Sequence, residues 1–65
     1  MNLTLNGKPY DTDARTVREL VEQLDLGKQA VAVEVNRELI PRKLHESTPL
    51  NEGDAVELVT LVGGG

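Results

Sequence analysis

At 65 residues the chain holds one small domain, and with no cysteine it has neither disulfide staples nor a thiol for catalysis or carriage. Eleven acidic against seven basic residues leave a net charge of −4, which argues against nucleic-acid binding, because that needs cationic side chains to displace counterions. One tyrosine with no Phe or Trp makes no stacking platform, and no apolar run approaches the roughly 20 residues of a membrane span. No signal peptide is visible at the N-terminus, so the expected location is the cytoplasm.

The opening stretch Met1-Asn2-Leu3-Thr4-Leu5-Asn6 alternates apolar and polar, the period of a half-buried strand. Asn6-Gly7 tolerates the positive φ of a type I′ hairpin turn. The return strand is Lys8-Pro9-Tyr10-Asp11, and Pro9, which lacks an amide donor, favours an edge position.

A helix follows. Thr16-Val17-Arg18-Glu19 fits a capping box, with Thr16 at the N-cap and Glu19 reaching back. Val17, Leu20, Val21 and Leu24 then recur at i, i+3, i+4 and i+7, one apolar stripe on a helix of two to three turns. Gly27 is placed to end it in a left-handed cap.

Val31-Ala32-Val33-Glu34-Val35 predicts a third strand with its valines on one face and Ala32 and Glu34 on the other. Asn36-Arg37 predicts a turn into Glu38-Leu39-Ile40, a short strand stopped by Pro41. The stretch from Arg42 to Pro49 has no clean periodicity and reads as a loop or single helical turn anchored by Leu44 and Leu50. Asn51-Glu52-Gly53-Asp54 is a turn that delivers the strongest strand pattern in the chain, residues 55–62. The order predicts an α+β domain, a sheet of four or five strands packed on one helix.

Gly63-Gly64-Gly65 follows that last strand with no linker. Three glycines make a thin, flexible arm without side chains, about 10 Å long when extended, that ends in a carboxylate. The domain is therefore expected over residues 1–62 and the tail over 63–65. If Val56 and Leu58 face the core, so do Thr60 and Val62, and period 2 sends Glu57, Val59 and Leu61 to the other face, with Ala32 a further neighbour. One helix covers one face only, so Val59 and Leu61 are expected as exposed apolar surface beside the tail, a candidate partner surface.

Other polar residues carry weaker signals. His45, the sole histidine, has no convergent partners by spacing and is expected as an exposed loop residue without a metal or catalytic role. Ser47 lacks the helical setting of a prosthetic-group attachment site. Arg37, Arg42 and Lys43 form the one basic cluster, read either as ordinary solvated surface or as a contact for an acidic partner.

The hairpin, the capped helix, the run Leu50-Asn51-Glu52-Gly53-Asp54-Ala55-Val56-Glu57-Leu58 and the glycine terminus together resemble the ubiquitin-like β-grasp sulfur carriers. Within them, Val33-Glu34-Val35-Asn36-Arg37, Ile40-Pro41-Arg42 and Val62-Gly63-Gly64-Gly65 are most similar to the ThiS family, and the resemblance spans the whole chain; the third glycine, Gly63, is a small departure. It implies a β-grasp fold with a mixed four- to five-stranded sheet. It also implies a carrier, not an enzyme: Gly65 is adenylated by a ThiF-like enzyme that uses ATP and Mg, then converted to a thiocarboxylate with sulfur from a cysteine desulfurase or equivalent. Gly63 and Gly64 would thread the partner active site, a ThiG-like thiazole synthase would take the sulfur, and no cofactor would be bound permanently. The small subunit of molybdopterin synthase, a carrier for RNA thiolation or protein modification, and a β-grasp adaptor with an incidental tail are the alternatives.

Overall fold

The computed structural model describes residues 1–26 and 30–60. It contains β1 (Asn2–Leu5), β2 (Lys8–Asp11), α1 (Val17–Gln23), β3 (Val31–Val35), β4 (Glu38–Ile40), a 3-10 turn (Arg42–Leu44) and β5 (Ala55–Thr60). The strands form one mixed sheet in the order β2-β1-β5-β3-β4. β5 lies in its middle, parallel to β1 and antiparallel to β3, while β1–β2 and β3–β4 are antiparallel hairpins. The predicted α+β architecture, one sheet against one helix, is the one observed.

Both hairpins turn on consecutive residues with positive φ, Asn6 (51°) and Gly7 (81°) in the first, Asn36 (53°) and Arg37 (70°) in the second. That is the type I′ geometry, whose twist suits antiparallel strands. β2 is an edge strand, so the missing amide of Pro9 costs the sheet little.

The N-terminus of α1 is capped twice over. Thr16 accepts the Glu19 amide at 3.2 Å, and Glu19 reaches back to the Arg15 amide at 2.8 Å, one residue before the position the capping box predicts. The other exposed amides of the first turn go to the irregular segment: Val17 N donates to Thr48 O and Arg18 N to His45 O, each at 3.0 Å. The helix is shorter than its apolar stripe. It ends at Gln23 in a Schellman motif, with Asp25 N donating to Glu22 O and Leu26 N to Val21 O. Asp25, at φ 62°, takes the left-handed position expected of Gly27, which lies outside the described residues.

Val17, Leu20 and Val21 bury one helix face against Leu3, Val33, Val56 and Leu58 of the sheet, with Ala14 and Leu50 closing the sides. Each fully buried aliphatic side chain contributes about 1.5–3 kcal/mol. Two expectations for the irregular segment fail. Leu44 is 43% exposed and anchors nothing, while His45 is only 8% exposed. Its Nε2 lies 3.0 Å from the Ile40 carbonyl oxygen, where it meets a backbone group at the end of edge strand β4. Pairing a ring nitrogen with that carbonyl is what allows a polar side chain to be buried there.

The sheet face beside the tail

β5 is the best-anchored strand. Asn6 Oδ1 accepts the Leu58 amide at 2.8 Å, and Asn36 Oδ1 accepts the Ala55 amide at 3.0 Å. Asp54, almost fully buried, accepts the Asn51 amide and the Asn36 side-chain amide, which fixes where β5 starts. β5 is therefore held firmly in the middle of the sheet. Thr60, the last described residue, stands opposite Val31. Leu61, Gly63, Gly64 and Gly65 lie outside the described residues.

α1 covers the face of the sheet that carries Leu3, Val33, Val56 and Leu58. Val59 points to the other face and is 59% exposed, with half-buried Ala32 directly across from it, as period 2 requires. The structure adds Leu39 of β4, 62% exposed on the same face. It also adds an acidic pair, because Glu34 and Glu57 are register partners. Sequence reasoning turned Glu34 and Glu57 outward but missed that they meet, and it did not place Leu39 on this face. The alternation Val33-Glu34-Val35 does turn Glu34 outward, but strand register decides its neighbour, and periodicity carries no register.

The remaining candidates do not assemble a reaction centre. Arg42 and Lys43 line a groove of about 380 Å³ between α1 and the 3-10 turn, whereas Arg37 sits apart in the β3–β4 turn. Arg18 borders the same groove and pairs with Glu22 and Glu46, at 3.2 and 3.0 Å. Hydrogen bonding to Glu22, then the nearby charges of Glu22 and Glu46, raise its guanidinium pKa above the usual value. Ser47 Oγ donates to Leu44 O at 3.3 Å. Among the described residues no three His, Asp or Glu side chains are grouped to hold a metal ion, and no helix is long and apolar enough to cross a membrane.

Comparison with known proteins agrees with this geometry. The ThiS family model matches residues 3–65. The crystal structure of a thiamine biosynthesis protein (ThiS) from Geobacter metallireducens superposes with a TM-score of 0.83 at 40% identity, over the whole of both chains. The sulfur carrier protein ThiS of Thermus thermophilus is 36% identical over 94% of this chain and 95% of its own. A thiazole synthase from Paramagnetospirillum magneticum is 36% identical over the entire chain, a match that takes up 20% of that larger protein. With the β-grasp sheet order, one α-helix among the described residues and a family match that runs through the terminal glycines, this chain belongs to the ThiS family.

Proposed function

We propose that the reacting atom of this protein is the carboxylate carbon of Gly65. As a member of the ThiS family the chain is a sulfur carrier of thiamine biosynthesis, not an enzyme. The observation that carries the proposal is the extent of the family match, which includes the terminal glycines up to residue 65. A carboxylate is a poor electrophile. In the proposed cycle its oxygen attacks the α-phosphorus of ATP in a ThiF-like, Mg-dependent enzyme, and pyrophosphate leaves. A persulfide supplied by a cysteine desulfurase or equivalent then attacks the acyl carbon and AMP leaves. A second thiol then attacks the persulfide's own S–S bond, which breaks to release the thiocarboxylate on Gly65 and leaves the two thiols joined as a disulfide.

The fold supports this division of labour. The strand that precedes the glycines in the chain is braced on both sides, and Gly63 and Gly64 have no Cβ to obstruct a narrow channel. Val59, with Leu61 expected on the same face, supplies apolar surface on which the adenylating enzyme docks. The ThiS-like stretch within thiazole synthases supports a ThiG-like enzyme as the acceptor of the sulfur, since a match inside one polypeptide is consistent with two parts that work together. The cycle needs no cofactor bound to the carrier; ATP and Mg belong to the partner, and the reading places the work in the cytoplasm.

The test is the intact mass after incubation with ATP, Mg, the adenylating enzyme and a sulfur source. Native protein gains the increment of one oxygen replaced by sulfur. A chain extended by one residue beyond Gly65 does not, and neither does a chain lacking Gly65, whose arm stops about 3.5 Å short. Conversion of the extended chain at the native rate overturns the proposal. Rescue of a thiamine-requiring mutant, as against a molybdopterin-deficient one, assigns the pathway.

A further inference from the structure

Glu34 of β3 and Glu57 of β5 face each other directly across the strand pair. Side chains so placed have Cβ atoms about 4.5–5.5 Å apart, and like charges there oppose folding. Among the described residues neither carboxylate has an ion-pair partner within 4.0 Å. The outward positions of the five strands add Asp11 and no Lys or Arg. Arg18, Arg42 and Lys43 line the groove beside α1 instead. Exposed Val59 lies one outward position further along β5, and exposed Leu39 stands across from Glu34. Two like charges thus sit side by side, flanked by two exposed apolar side chains, on the sheet face that α1 leaves open.

Position decides what covers it. Gly65 is five residues beyond Thr60, so a fully extended arm reaches at most about 18 Å. An enzyme that holds Gly65 in its active site must bring its own body within that distance of the end of β5. Glu57 is three residues before Thr60, on the face α1 leaves open.

We propose that Glu34 and Glu57 together form a receptor for one cationic side chain, an arginine or lysine, on the enzyme that adenylates Gly65, with Val59 and Leu39 packing around it. Arginine fits best, because its planar fork can bridge two carboxylates at once. On docking, Val59 and Leu39 become covered and help exclude water, which strengthens the ion pairs. The like-charge repulsion of the free carrier is relieved on docking, so the pair favours the complex over the free protein. This inference rests on the carrier reading and names the chemistry of its first partner.

The two carboxylates make opposite contributions to stability and to binding, and the test reads both. In the free protein, Glu34→Gln and Glu57→Gln should each raise Tm by about 2–6 °C as the repulsion disappears. Calorimetric titration into the ThiF-like enzyme should show each substitution weakening Kd roughly 5–20-fold, with a shallower dependence on salt than native. Because one cation serves both residues, the double substitution should cost less than the product of the single losses. Native affinity in both single variants overturns the receptor, as does weaker binding accompanied by a fall in Tm. Failure of the same enzyme to adenylate the native chain defeats the carrier reading instead; adenylated native protein alongside unimpaired Gln variants defeats the receptor alone.

Discussion

Asn6 Oδ1 accepts the amide of Leu58 at 2.8 Å, so the first hairpin turn holds the strand that ends the fold 52 positions later. The β1–β5 ladder pairs only Thr4 with Ala55 and Leu5 with Val56, and the Asn6 side chain continues it by one rung. Asn6 also holds a φ of 51°, a value that asparagine tolerates and glycine adopts freely. Asn6→Gly keeps the turn and removes the acceptor, leaving the part-buried Leu58 amide unpaired. Denaturant titration should show a loss of about 1–2 kcal/mol, while Asn6→Asp, which retains an acceptor, should stay close to native.

The C-cap of α1 offers a gain. Asp25 occupies a left-handed conformation that a Cβ disfavours. Asp25→Gly should stabilise the domain by about 0.5–1 kcal/mol, read as a rise in Tm. A lower Tm would mean that the Asp25 side chain contributes more than its backbone costs.

His45 is a structural residue. His45→Ala removes the partner of the Ile40 carbonyl and opens space behind the 3-10 turn, whose segment also supplies the acceptors of the Val17 and Arg18 amides. The expected loss is about 1–3 kcal/mol with thiocarboxylate formation intact at temperatures where the variant is folded. Loss of sulfur loading in a folded variant would give His45 a role in the reaction.

The two faces of β5 should separate stability from partner binding. Leu58→Ala truncates a buried side chain and should cost about 2–5 kcal/mol, a large share of the stability of so small a domain. Val59→Lys alters an exposed neighbour and should change stability by no more than about 1 kcal/mol while weakening capture by the adenylating enzyme. Equal damage to folding from both would contradict the facing of the strand.

The sequence by itself determined the elements and their faces, because those follow from local rules. Period 2 in Leu3-Thr4-Leu5 and Val56-Glu57-Leu58 told inside from outside, the stripe Val17-Leu20-Val21 marked the buried helix face, and Asn6-Gly7 fixed a turn through its tolerance of positive φ. The carrier reading was legible for the same reason: a glycine terminus directly after a strand is a local feature, and it drew the family resemblance. Tertiary structure alone decided what depends on which segments meet. Gly27 looked like the helix stop, yet the Schellman bonds formed two residues earlier, where Leu26 could pack against the core. His45 looked exposed until the end of β4 brought the Ile40 carbonyl to it. Glu34 and Glu57, 23 residues apart in the chain, became neighbours only through the β3–β5 register, which the packing of the valines and leucines on the opposite face sets and no single segment encodes.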